Sequence, residues 1–184
     1  MNKKDNILAS ALKLLTENGV HATPMSAIAK EAGTGMGTIY NYYPTKEVLI
    51  NDIYTDIKLK EEKLFTNFPS ELPVKTKFET FYKVTVEFFI QNPSYFSFMD
   101  QLNSSPIISE ESKAIGQRAI ENVLQLIEDG KKDRIIKDIK TNELVQFIGG
   151  SLMSYIRWSL TQNNPTNKAT LANQLKMVWD AIKE

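Results

Sequence analysis

The sequence predicts an all-α protein of about nine helices. Three observations lead there. Apolar residues recur three and four apart along most of the chain, the spacing of one helix face. The breaks between these runs carry helix punctuation, with Gly closing them and Thr, Ser, Asn or Pro opening them. No sustained period-two run occurs, so neither Asn18-Gly19 nor Asp129-Gly130 has the alternating flanks of a hairpin.

The elements follow in order. Ile7, Leu8, Ala11, Leu12 and Leu15 mark a first helix ending at Gly19. Thr23-Pro24 opens a second, with Thr as N-cap and Pro in the first turn, where its missing N–H removes no bond. Met25, Ile28, Ala29 and Ala32 form its apolar face, and Gly33 stops it. A short third helix, Met36–Tyr43, is closed by Pro44. Thr45 caps a long fourth helix from Lys46 to about Thr66, and Pro69 and Pro73 mark the next break. A fifth helix carries Phe78, Phe81, Tyr82, Thr85, Phe88 and Phe89 and ends at Asn92-Pro93. A sixth spans about Ser94–Leu102. Ser109 caps a seventh, Glu110–Glu128, whose acidic first turn suits the helix dipole. A charged turn from Gly130 to Lys140 leads to an eighth helix, Asn142 to about Gln162, capped by Thr141. Asn164-Pro165 separates it from the last, about Asn167–Lys183.

Composition excludes several chemistries. The 184 residues include no Cys and one His, which removes thiolate nucleophiles, disulfides and multi-histidine metal sites. No cofactor is expected. No stretch approaches the roughly 20 apolar residues that span a bilayer, and the N-terminus lacks a secretory apolar run, so a soluble cytoplasmic protein is expected. Net charge is zero, so bulk electrostatics give no polyanion signal.

Residues 23–43 read as helix, turn, helix. Both helices are too short to stand alone and must pack on the first. Such three-helix units place their second short helix in the DNA major groove. Ala29 allows close helix approach, Gly33 takes the turn, and Ile39 and Tyr43 plug the core.

These residues carry a resemblance. Ile7–Gly19 resembles the first helix of the TetR/AcrR family of bacterial transcriptional regulators. Ala22–Gly33 is similar to its second helix, and Gly37-Thr38-Ile39-Tyr40-Asn41-Tyr42-Tyr43-Pro44-Thr45-Lys46 to its recognition helix and the start of its fourth. The motif-level match covers residues 5–50. It implies a DNA-binding domain over residues 1–46 and a ligand-binding and dimerisation domain over 47–184. The DNA-contacting positions it implies are Thr23, Met36, Gly37, Thr38, Tyr40, Asn41, Tyr42 and Lys46. Gly37 would let backbone approach DNA, Asn41 suits adenine, the tyrosines offer hydroxyls to phosphate, and Lys46 is the family's phosphate-contacting lysine. Thr23 sits where a helix N-terminus would point at a phosphate. Departures from the family pattern bear on operator sequence: Gly35 replaces the usual serine cap, and Met36 offers only apolar contact. Within residues 1–50, five lysines face four carboxylates, a net +1.

Residues 65–100 hold ten of the chain's 18 aromatic residues, about threefold enrichment. Core packing explains any one of them. The resemblance implies an apolar or amphipathic effector pocket among Phe81, Tyr82, Phe88, Phe96, Met99, Asn122 and Tyr155. It also implies that the last two helices build a four-helix bundle with a second copy, through Phe147, Gly150, Ser151, Leu171, Leu175, Val178 and Trp179. The expected function is a homodimeric, ligand-responsive repressor binding a double-stranded operator. A helical carrier of apolar molecules without operator specificity is the rival. An enzyme is a further rival, but no P-loop, nucleophile elbow or dinucleotide fingerprint is present.

Overall fold

The computed structural model describes residues 2–65, 71–102 and 105–184. Thr66 and Pro69, named above, and Phe68, one of the ten aromatic residues counted there, lie outside them. The described residues form ten helices: α1 Lys3–Asn18, α2 Met25–Glu31, α3 Met36–Tyr42, α4 Lys46–Lys63, α5 Val74–Gln91, α6 Pro93–Leu102, α7 Glu110–Ala119, α8 Glu121–Lys132, α9 Thr141–Ser159 and α10 Lys168–Ile182. Among them, the one extended pairing is an isolated antiparallel bridge between Ile136 and Lys183. None of these helices is long and apolar enough to cross a membrane.

Ten helices replace about nine because the stretch expected as one helix divides at Ile120, whose φ of −107° and ψ of 7° interrupt the ladder. No Gly or Pro marks that break. Gly130, expected to open a turn, lies buried inside α8. A Cβ there would sit 2.6 Å from Ile136 Cδ1, so close packing requires its bareness.

Caps explain several boundaries. Asn2 and Asp5 close a reciprocal capping box at the start of α1. Gly33 follows α2 with φ +63°, a conformation that disfavours any Cβ. Thr45 Oγ1 accepts the Val48 N–H, and Asn167 accepts two first-turn N–H groups of α10. The start of α2 differs from expectation. Pro24 occupies the N-cap position without a side-chain bond. The Thr23 hydroxyl instead serves the Leu14 and Gly19 carbonyls, at 3.1 and 3.0 Å. The bare carbonyls ending α1 outcompete the bare N–H groups beginning α2.

The chain divides into two compact units. One joins the residues up to Leu59 with Pro93–Gly116; the other joins Lys60–Asn92 with Gln117–Glu184. The first holds α1, α2 and α3 around Ile7, Ala11, Leu15, Ile28, Ala29 and Ile39, all buried. Two amide side chains fasten Pro93–Gly116 onto it. Gln101 Oε1 on α6 accepts the Val20 N–H at 3.2 Å. Asn51 on α4 donates to the Ile107 carbonyl and accepts from the Ser109 N–H, both at 2.9 Å. The second unit packs α5, α8, α9 and α10 about Phe78, Tyr82, Ile127, Ile148 and Ile156.

Candidate DNA-binding face and effector cavity

A seven-residue helix holds its shape only through packing, and α3 packs through Ile39, which is fully buried. Burying that one side chain turns its neighbours outward. Met36, Tyr40 and Tyr42 are 39%, 46% and 44% exposed, Gly37 and Asn41 are exposed, and Thr38 is half-buried. The end of the helix is clamped. Tyr43, buried, donates its hydroxyl to Asp52 Oδ2 at 2.7 Å, and Lys4 Nζ sits 2.9 Å from the same oxygen. Burial, reinforced by the Asp52 carboxylate, holds the Tyr43 phenol well above its ordinary range.

Lys46 donates to the His21 carbonyl at 3.3 Å, which places its ammonium at the start of α4 with two N–H bonds to give. Partial burial lowers its pKa below the usual lysine value. Within residues 1–50, Lys4 is engaged with Asp52 and Lys13 with Glu31, the latter at 2.6 Å. Lys3 and Lys30 are exposed and make no ion pair among the described residues. Seven of the eight expected DNA-contacting residues thus stand on α3 and the first turn of α4. Thr23 does not join them: its side chain is 1% exposed and bonded inward.

Gly37 has no internal justification. A Cβ there would meet nothing within 4 Å, its φ is not positive, and glycine weakens a helix interior by about 1 kcal/mol relative to alanine. The same open space surrounds Gly149 and Gly150 in α9. In contrast, Gly116 and Gly130 would each drive a Cβ into their own chain.

The expected effector residues do not form one pocket. Phe81 and Asn122 line a cavity of about 210 Å³ with Phe65, Lys77, Val123, Gln125, Leu126 and Asp129. Phe96 and Met99 sit on α6, in the other compact unit. Phe88 stacks edge-on with Phe89 at 5.1 Å, outside that cavity. Tyr155 is buried and faces Trp158 at 5.9 Å. Tyr82 is fully buried in a directed chain of hydrogen bonds: Gln174 Nε2 donates to its oxygen at 3.1 Å, and Ser151 Oγ lies 3.3 Å away. Ser151 gives its own proton to the Ile148 carbonyl at 2.7 Å, so the Tyr82 hydroxyl is the donor between them. Burial raises the Tyr82 and Tyr155 phenols above their usual value. Tyr82→Phe strands the Ser151 oxygen and the Gln174 N–H, and is expected to cost about 1–3 kcal/mol in urea unfolding with an unchanged m value. Lys77, Gln125 and Asp129 escaped the sequence reading, although Lys77 and Phe81 are four apart on α5 and Gln125 and Asp129 four apart on α8.

The last two helices also differ from expectation. Val178 and Trp179 face inward, and the Trp179 ring lies 5.6 Å from Phe78. Leu171 and Leu175 are half-buried, and Ser151 is held by Tyr82. Phe147 at 44%, Trp158 at 48% and Met177 at 61% face outward, with Gly150 exposed between the first two. Trp158 and Met177 were missed because a helical stripe marks a face without naming its neighbour.

The family model for bacterial regulatory proteins of the tetR family matches residues 7–53, and that for the tetracyclin repressor-like C-terminal domain matches residues 54–184. The chain belongs to the TetR family. An uncharacterised HTH-type transcriptional regulator of Bacillus subtilis, YhgD, is 29% identical over 96% of this chain and 94% of that protein. The HTH-type transcriptional regulator QacR of Staphylococcus aureus is 28% identical over 71% of each. The fold matches the crystal structure of a TetR family transcription regulator from Marinobacter aquaeolei VT8, with a TM-score of 0.87 at 20% identity over 99% and 96% of the chains. It also matches the fatty acid degradation regulator FadR of Bacillus halodurans, with a TM-score of 0.78 at 20% identity over 97% and 95%. This TetR-family chain is therefore a DNA-binding transcriptional regulator and not an enzyme. Regulators of the family bind operators and small-molecule effectors and act as dimers.

Proposed function

We propose that the protein is a cytoplasmic, homodimeric repressor, released from its operator by a small apolar or amphipathic effector. Residues 1–46 act as the DNA-binding domain and residues 47–184 as the effector-binding and dimerisation domain. The observation that carries this reading is α3: a helix whose one buried anchor, Ile39, presents Met36, Gly37, Tyr40, Asn41 and Tyr42 to the exterior. Asn41 pairs with an adenine edge, Met36 lies against a thymine methyl, and Tyr40, Tyr42 and Lys46 hold phosphates. Two such helices must meet half-sites about 34 Å apart, or a multiple of that, which calls for a second copy. The outward side chains Phe147, Trp158 and Met177, with Gly150 permitting close approach, supply the surface for it. Phe81 and Asn122 mark the effector cavity.

A gel shift on the DNA upstream of the protein's own gene tests the reading. A discrete complex at low salt is expected; no complex there or with a genomic pool overturns it. Salt dependence is a further check. Within residues 1–50 of each protomer, Lys3, Lys30 and Lys46 make no ion pair among the described residues, so log K against log salt is expected to fall with a slope of about −5 for a dimer. A slope near −10 would contradict this accounting.

A further inference from the structure

Ile39 is the one buried residue of α3. A single point of contact sets how deeply a helix sits but opposes small rotations about its axis only weakly. Side-chain tips lie about 5–6 Å from a helix axis, so a rotation of about 20° carries them about 2 Å. A hydrogen bond to a base edge does not survive such a displacement.

Tyr43 supplies a second restraint. Its N–H closes α3 on the Ile39 carbonyl at 2.9 Å, and the residue is 2% exposed. A phenylalanine would fill the same space with no hydroxyl to desolvate, so the hydroxyl adds direction rather than volume. It donates to Asp52 Oδ2 at 2.7 Å, and Lys4 Nζ holds the same oxygen at 2.9 Å. Asp52 is thus gripped from α1 and from the end of α3 at once. The Lys4 and Asp52 side chains are 47% and 31% exposed, so their pairing contributes little to stability. Asp52 stands on α4, the helix that opens with Lys46, and the Lys46 ammonium donates to the His21 carbonyl between α1 and α2. The outward residues of α3 and the ammonium of Lys46 are therefore referred to one helix.

We infer that Asp52 is a positioning residue for operator recognition: by accepting the Tyr43 hydroxyl it fixes the rotation of α3 against the helix that carries Lys46. The inference rests on the reading of α3 as the helix that meets the bases. Asp52 acts through Tyr43 and needs no contact with DNA of its own. When α3 is rotated out of place its base contacts fail, while Lys3, Lys30 and Lys46 still attract phosphate. Sequence discrimination falls and sequence-independent attraction persists.

The test is a ratio of two affinities, measured on the full chain by gel shift. One is for the DNA upstream of the protein's own gene, the other for a scrambled fragment of the same length and composition. A loss of folded protein lowers both alike and leaves the ratio unchanged, so a merely structural role does not move it. Tyr43→Phe and Asp52→Ala are each expected to lower the ratio at least about fivefold, the loss of one base contact. Both changes together should lower it no further than the worse of the two, because they break one bond. Asp52→Asn retains an oxygen for the Tyr43 hydroxyl and should keep most of the parent's ratio. An unchanged ratio in Tyr43→Phe, losses that multiply in the double variant, or Asp52→Asn as damaging as Asp52→Ala overturns the inference. Met36→Ala combined with Asn41→Ala tests the reading beneath it. A lowered ratio in that pair beside an unchanged one in Tyr43→Phe keeps α3 on the bases and removes the positioning role of Asp52. An unchanged ratio in that pair, or a parent that binds both fragments equally, overturns α3 as the base reader and the inference with it.

Discussion

Gly37→Ala is expected to make the protein more stable and a poorer DNA binder. The methyl group meets nothing inside the chain, and alanine favours a helix over glycine by about 1 kcal/mol, so thermal or urea unfolding should move upward. The same methyl projects from the exposed face of α3. Where backbone lies against DNA, one extra methyl acts as overpacking and costs about 1–3 kcal/mol. A dimer presents two copies, so operator affinity should fall by about 2–6 kcal/mol, or roughly 30-fold to more than 10⁴-fold. The opposed signs matter. A variant that merely damaged the fold would lose both properties together, and one that kept full operator affinity would show that α3 does not approach DNA through Gly37. Measuring the unfolding midpoint and the operator Kd on one preparation decides it.

The second large effect separates two tryptophans. Trp179 is 7% exposed and packs on Phe78, so Trp179→Ala is expected to remove about 3–5 kcal/mol of folding stability. Trp158 is 48% exposed and touches Tyr155 along one edge, so Trp158→Ala should leave the isolated chain within about 1 kcal/mol of the parent. In the proposed dimer its effect belongs to assembly. A central aromatic in an interface contributes about 2 kcal/mol or more, which raises the dimer dissociation constant roughly 30-fold. Sedimentation over a concentration series, beside urea unfolding at low protein concentration, reads the two effects apart. A Trp158→Ala chain that dimerises like the parent would place the partner surface elsewhere.

These two residues also show where sequence reasoning stops. The punctuation around α1 to α4 was legible because Gly19, Gly33, Pro44 and Thr45 each act within a few residues of themselves. Ile39 was legible as core because a seven-residue helix has room for one anchor. Trp179 was read onto a partner-facing stripe and Trp158 was not named at all, because only the tertiary partner, Phe78 in the first case, decides which side of a helix turns inward. Thr23 failed for a related reason. Thr-Pro is a sound helix opening, but the competing acceptors on α1 were invisible from the local sequence. The cavity was half legible: its aromatic floor stood out through composition, whereas Lys77 and Asp129 resemble ordinary surface charges until α5 and α8 are set side by side.

The DNA-binding unit is assembled from two separated stretches of chain, with Gln101 and Asn51 fastening the later one. The order of events on the ribosome follows from that assembly. When Leu59 has been synthesised, α1 to α3 exist but the residues that cover the far side of α1 do not. Translation proceeds at about 5–20 residues per second, so reaching Gly116 takes roughly 3–12 seconds more. During that interval the nascent recognition helix is present in an unfinished unit. A regulator built this way acquires a competent reading head only after about the first quarter of its second half has been synthesised.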